Sequence, residues 1–379
     1  MRLTLSRFIP VCEPTYGPEE RRALIDAFDS GWVSSGGKYN EKLEADFAAY
    51  SHTSHGVSVC NGTVAIHLAI RALGLSAGDE VIVPNHNGIY GVYALMYEGI
   101  TPVPVEAEAV TWNIDPDLIE QSITPKTKAI MVVHLYGHPC EMDVISAIAE
   151  KYGLPVIEDA AQAHGAEYKG RRAGSLGTIA TFSLFANKII TSGEGGLIVT
   201  SSEDLADKCR YYRNQCFPLG GPRHFIHEDV GYNYRMTNVQ AALAWAQLGK
   251  IDKLIAGRRR VNTMYRHCLK EVPGIQFQEE LSWAKNIFWM TAITINPAQA
   301  GFNRNDLEEH LISKQIQTRR LFVGMNRQPV LETRGHRVTS KFPVSDFLSD
   351  NGLYLPSSSH LEEEKVETIS AAIMELVSS

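Results

Sequence analysis

Between residues 55 and 200 the chain alternates short apolar runs with stretches of helical apolar spacing, and nothing else in it restricts the fold as much. HGVSVC, GDEVIVP, TPVPVE and KAIMVVHLYG are each strand-length, and the last is apolar almost throughout, as a strand covered on both faces must be. Val64, Leu68, Ala69 and Leu73 recur at helical spacing after the first of these runs, and a further helix is predicted over 142–152. Repeated strand-then-helix units predict an α/β fold, a mostly parallel sheet flanked by helices. Such sheets bind ligands at the carboxyl ends of their strands. Polar residues at strand ends are therefore the candidates for chemistry.

Three such ends stand out. In TFSLFANKIITSGEGG, Thr181 to Gly196, an apolar strand delivers Asn187 and Lys188 and stops at a glycine-rich turn before a second strand over 197–200. A lysine between apolar strands, beside Ser183 and Ser192, tends to shed its charge through desolvation, the condition under which an amine attacks a carbonyl. The ordinary alternative is a lysine that caps a hairpin. Asn61-Gly62-Thr63 precedes a predicted helix, so its amides form either an anion site or a plain N-cap. Glu158 and Asp159 follow a strand predicted over 154–157, where Asp159 is either a functional acid or a helix cap for Ala160 onward. One strand-turn-strand excursion separates Asp159 from Lys188. Both can thus reach one sheet edge. An acid for a ring nitrogen, an amine for an aldehyde and a helix N-terminus for a phosphate are together what pyridoxal phosphate requires.

The rest of the composition narrows the field. The net charge of −7 comes without any basic block, which argues against a nucleic-acid partner. The longest apolar runs are too short to span a bilayer, and MRLTLSRFIP lacks a signal-peptide core, so a cytoplasmic location is expected. Six scattered cysteines without a CxxC predict free thiols and no metal. A chain of 379 residues exceeds the usual single domain. A large cofactor-binding domain over 1–250, opened by a proline-rich arm, and a smaller C-terminal α+β domain over 251–379 are expected. Residues 234–269 read as helical for most of their length, 288–295 as a strand, 304–315 and 362–377 as helices, and 326–341 as a polar loop. No strand leads into a GxGxxG that opens a helix, which sets aside a dinucleotide-dependent dehydrogenase.

NGT ahead of a helix, GDEVIVP, HLYGHPCEMD, VIEDAAQAHGA, TFSLFANK, GEGGLIVT and GYNYRMTN, in that order, resemble the sugar-nucleotide aminotransferase family of fold-type-I pyridoxal-phosphate enzymes. The likeness is dense over 9–250 and weaker beyond. It implies pyridoxal 5'-phosphate as cofactor, Lys188 as imine former and proton shuttle, Asp159 at the ring nitrogen and Gln162 near the ring oxygen. By the same likeness Gly62, Thr63, Ser183 and Asn187 hold the phosphate, and Asn233 reaches the phosphate of a neighbouring subunit in a homodimer with shared active sites. Lysine rather than histidine at 188 implies amination rather than dehydration, with glutamate as donor. The implied acceptor is a nucleotide-linked 4-keto-6-deoxy sugar such as GDP-4-keto-6-deoxymannose. Another keto sugar, a keto intermediate without a nucleotide, or a cofactor-holding protein without turnover are the alternatives.

The resemblance also marks departures. Gly88 stands where the family places an aromatic residue against the cofactor ring, so His86 is expected to supply that face, with Tyr90 as second candidate; alternatively Gly88 only reshapes the turn. Trp32, Ser34, Ser35, Arg223, Arg319 and Arg320 lie in segments that approach the sugar in the family. Arg319 and Arg320 are either contacts to an anionic group or solvated charges. Arg320 and Asn326 replace the proline and histidine common in relatives.

Overall fold

The computed structural model describes residues 8–220, 225–336, 338 and 340–377. Its main sheet has seven strands: β1 (His55–Val59), β2 (Glu80–Pro84), β3 (Thr101–Val105), β4 (Thr127–Val133), β5 (Val156–Asp159), β8 (Ile179–Ser183) and β9 (Gly196–Thr200). β6 (Glu167–Tyr168), β7 (Arg171–Arg172) and β11 (Ala284–Lys285) form a small separate ribbon. The spatial order in the main sheet is β1-β9-β8-β5-β4-β2-β3, in which β9 alone runs against the others. This is the fold-type-I architecture implied above. Val133 pairs with Asp159 and Asp159 with Thr181, so the strand ends that carry the polar residues share one edge.

The helices follow from the apolar spacing. α1 (Pro18–Asp29) and α2 (Lys38–Tyr50) precede β1, and α3 (Gly62–Ala72) buries most of its side chains against the sheet. α4 (Tyr90–Tyr97), absent from the sequence reading, connects β2 to β3; its apolar run YGVYALMY has no polar face to reveal a period. α5 (Met142–Tyr152) ends at Gly153 in the left-handed region that a helix stop favours, and α6 (Glu203–Arg213) follows β9. The stretch predicted as helical over 234–269 is two helices, α7 (Asn238–Leu248) and α8 (Ile251–Cys268), parted at Gly249 and Lys250. Thr237 caps α7 with a capping box completed by Gln240.

A second sheet is wholly antiparallel, with β10 (Ile275–Phe277), β12 (Thr291–Ile295), β14 (Gly352–Leu355) and β13 (Arg319–Arg320) in that order. Its core joins Val261 and Tyr265 of α8 to Ile293, Leu353 and Leu355 of the sheet and to Ile369 and Ile373 of the last helix, Glu363–Val377. The strand predicted over 288–295 begins only at Thr291, because Phe288 has φ +46. The segment read as a polar loop over 326–341 contains a short helix, Pro329–Thr333. The N-terminal arm lies across this second unit: Ile9 exchanges backbone bonds with Gln315 and Gln317, and Val11 accepts from the Ser357 amide. Among the described residues no helix is long and apolar enough to cross a membrane, and all six cysteines are free.

Candidate active site

The carboxyl edge of the main sheet faces the second sheet across a cavity of about 860 Å³. Gly62, Thr63, Asp159, Gln162, Ser183, Asn187 and Lys188 line it from one side, and Trp289, Arg319, Arg320, Phe322 and Tyr354 from the other. Lys188 reaches it because β8 ends at Ser183 and the chain then turns, the Lys188 amide donating to Phe185 O. Its Nζ rests 4.0 Å from the centre of the Trp289 indole, and Trp289 Nε1 donates to Asn187 O at 2.8 Å. Loss of water around the amine pulls its pKa down to about 8, against the opposing charge of Asp159. About a tenth of the amine is therefore neutral at pH 7, far more than for a free lysine.

Glu158 and Asp159, adjacent on one strand, face opposite ways as a pleated strand requires. Glu158 is fully buried; it accepts from His134 Nε2 and from the amides of Gly174, Leu176 and Gly177, which fixes the loop behind the sheet. Asp159 opens to the cavity and accepts from the Ala161 amide at 3.0 Å. No helix starts at Ala160, so the helix-cap alternative for Asp159 gives way to a tight turn closed by its own side chain. Burial raises its pKa, with Ala161 and Lys188 pulling the other way. Gln162 Oε1 accepts from the Tyr136 amide, which leaves its amide nitrogen as the donor available to the cavity.

The third component is the start of α3. Asn61 Oδ1 caps the Val64 amide and Asn61 O takes the first helical bond from Ala65, so the amides of Gly62 and Thr63 precede any helical partner. The site is tight by construction. A Cβ on Gly62 would lie 2.9 Å from Ser183 Cβ, and one on Gly196 would lie 2.5 Å from Asn61 O. Asn187 Oδ1 is buried without a hydrogen-bond partner among the described residues, an acceptor that a donor on a bound group would satisfy, while its amide nitrogen is a donor of the kind a phosphate accepts from. A helix N-terminus, a serine, an asparagine, an acid and an amine of lowered pKa thus suit the phosphate, ring nitrogen and aldehyde of pyridoxal phosphate.

Several residues singled out in the sequence lie elsewhere. His86 is 1% exposed and packs against Tyr136 and Phe322, with both ring nitrogens unpartnered among the described residues; it stands behind the cavity wall rather than on it, which corrects the expectation of a stacking face. The residues of that segment that do line the cavity are Asn87, Gly88 and Tyr90. Trp32, Ser34 and Ser35 lie outside the cavity of their own chain; the carbonyls of Trp32 and Ser34 accept from Asn238 of α7. Asn233 is exposed, bridged to Asn214, and likewise outside it. Arg223 lies outside the described residues. Trp289, Phe322 and Tyr354 went unnoticed in the sequence. Each is one aromatic residue among many, and no local pattern sets it apart.

Sheet, lysine and phosphate cradle define the class: a fold-type-I pyridoxal-phosphate-dependent transaminase. A model of the DegT/DnrJ/EryC1/StrS aminotransferase family matches residues 14–374, and the chain belongs to that family. It is 41% identical over 372 residues to a GDP-perosamine synthase of Escherichia coli O157:H7, covering 98% of this chain and 99% of the other. It is 38% identical over 361 residues to a GDP-perosamine synthase of Vibrio cholerae, covering 95% and 97%. Among solved structures, DesV of S. venezuelae superposes with a TM-score of 0.88 at 34% identity, covering 95% of each chain. The protein is accordingly a pyridoxal-phosphate-dependent sugar aminotransferase.

Proposed function

We propose that this chain takes an amino group from glutamate and places it on the keto carbon of a nucleotide-linked 4-keto-6-deoxy sugar, with GDP-4-keto-6-deoxymannose as the acceptor. The observation that carries the chemistry is the Lys188 amine, lowered to about 8, in the same cavity as Asp159. The full-length likeness to two GDP-perosamine synthases supports the acceptor.

When bound, pyridoxal phosphate supplies an aldehyde and a ring that stores an electron pair. The chain's own residues do the rest. Lys188 Nζ takes a proton from the donor carbon and returns one to the acceptor carbon, a role suited to an amine that titrates near neutral pH. Asp159 holds the proton on the ring nitrogen, and Gln162 donates to the ring oxygen. Gly62 and Thr63 amides, Ser183 and Asn187 bind the phosphate. Of the two arginines of β13, Arg319 is the cation available to a substrate carboxylate or phosphate, because Arg320 is engaged with Glu308 at 2.7 Å through both Nε and Nη2.

We read the working assembly as a homodimer with shared sites and the domain boundary as residue 250. The exposed positions of Asn233 and Trp32, away from their own cavity, support a role in a second copy's site. The experiment is to incubate the protein with glutamate and GDP-4-keto-6-deoxymannose. Equal amounts of 2-oxoglutarate and of a GDP-linked amino sugar are expected. Turnover of glutamate with some other keto sugar, and none with this one, would reject the acceptor and keep the reaction.

A further inference from the structure

Position 88 has no side chain, yet the space beside it is filled. A Cβ placed on Gly88 would lie 3.0 Å from Cδ2 and Cε2 of the Tyr90 ring and 3.4 Å from Cε1 of Phe322. Both rings line the cavity that holds Lys188 and Asp159. Tyr90 stands two residues on, at the start of α4, but Phe322 comes from the far side, just after β13 of the second sheet.

Phe322 is held there by contacts that cross from the residue after β2 to the segment after β13, braced by one bond within the second unit. Asn85 Nδ2 donates to Asn326 Oδ1 at 2.9 Å, the Asn326 amide donates back to Asn85 Oδ1 at 3.0 Å, and the Met325 amide donates to Asn85 O at 2.8 Å. Asn326 Nδ2 in turn donates to Asp346 Oδ1 at 3.1 Å. Asn85 is fully buried, so each of these bonds replaces water that cannot reach it. The Phe322 ring lies parallel to that of Tyr136, 7° between planes and 5.6 Å between centres, and Tyr136 is parallel in the same way to Trp289, over which Lys188 rests. Phe322 is therefore the open end of a column of rings that lead to the reactive amine.

We propose that Phe322, aided by Tyr90, is the aromatic wall that holds the cofactor ring in this protein, occupying the space of the side chain that position 88 lacks and carried there by the Asn85–Asn326 clasp. The inference rests on the reading of the cavity as the cofactor site. It makes cofactor retention a property of both sheets: loosening the clasp withdraws one wall of the pocket without touching Lys188 or the phosphate cradle.

The test is equilibrium titration of the apoprotein with pyridoxal 5'-phosphate, followed by tryptophan emission, for five proteins. Phe322→Ala should raise Kd about ten-fold, the scale of a lost aromatic contact and its area, and Phe322→Leu, which keeps apolar volume, should fall between it and the wild type. Gly88→Phe alone should also weaken binding, since its ring collides with Tyr90 and Phe322. Gly88→Phe in the Phe322→Ala background should regain most of the loss, which a general loosening of the fold would not produce. An unchanged Kd for both Phe322 variants, or a double variant no tighter than Phe322→Ala, overturns the proposal. Should Phe322→Ala not fold, as judged by thermal melting of the apoprotein, the Leu variant and its own Gly88→Phe double decide by the same criterion. Failure of the wild type to show saturable binding would instead remove the cofactor-site reading beneath the proposal, and the proposal with it.

Discussion

The main-sheet wall of the cavity takes Asp159, Ser183, Asn187 and Lys188 from two neighbouring parallel strands and the turns that follow them, and Gly62 and Thr63 from one helix start. The facing wall takes Trp289, Arg319, Phe322 and Tyr354 from residues before, on and after strands of a separate antiparallel sheet. The first wall places one amine, one carboxylate and one anion cradle by strand register. The second places mostly rings and cations by docking one unit on another. The contrast teaches that the groups proposed to carry the reaction sit on the wall whose geometry the main chain fixes, while those proposed to hold the ring and meet the substrate sit on the wall that docking fixes.

The largest expected effect breaks the first wall at its amine. Lys188→Ala removes both nucleophile and proton carrier and should lower the rate of amino transfer from glutamate at least about 10³-fold, measured as 2-oxoglutarate formed in a single turnover of cofactor-saturated enzyme. The cradle at Gly62 and Thr63 should still hold the cofactor's phosphate. A loss of less than ten-fold would deny Lys188 its role.

The adjacent carboxylates sharpen the same wall. Asp159→Asn keeps the size and the turn but removes the charge, and should cost about 10²-fold in the same single-turnover rate with little change in folding. Glu158→Gln should do the reverse. It places an amide nitrogen among donor groups in a fully buried site and should lower unfolding free energy by about 2 kcal/mol in urea titration of the apoprotein. Equal behaviour of the two variants would contradict the opposite faces assigned to them.

How much of this could be read in the sequence follows the same division. The main sheet, the strand ends and Lys188, Asp159 and Gly62 were readable because period, length and strand-end position are local signals. α4 was not, since a helix apolar all round has no period to detect. His86 was misplaced because backbone direction after β2 decides which of His86, Asn87 and Gly88 meets the cavity, and a turn of that kind has no fixed alternation. Phe322 and Trp289 owe their place to contacts between residues more than a hundred positions apart, as Trp289 does to Asn187, and one sequence does not show such contacts.

A pH titration comes next in size. An amine whose pKa is lowered to about 8 binds fewer protons in the folded chain than a free lysine would, so its neutral, reactive form grows as pH rises through 8. The rate at which apoprotein captures pyridoxal phosphate should therefore climb about ten-fold per pH unit well below 8 and level off above it. A midpoint near that of an ordinary lysine would show that the Trp289 side of the cavity does not exclude water from the amine.

The smallest effect tests whether the second wall selects anionic groups. Both arginines of β13 line the cavity, yet Arg320 spends two of its nitrogens on Glu308 while no acidic side chain among the described residues pairs with Arg319. Arg319→Ala should raise KM for glutamate or for the nucleotide sugar by about five- to ten-fold, the scale of one charge-assisted contact, with kcat nearly unchanged because a guanidinium carries no proton between the reacting carbons. Arg320→Ala breaks an exposed pair of little energetic weight and should alter KM less than two-fold. If the order is reversed, the Glu308 pair must open in use, and the cation that meets substrate is the one the resting structure holds in reserve. If neither matters, the anionic group is read by the main-sheet wall or by a second copy, and the division between reaction and selection drawn here moves from the two sheets to the interface between chains.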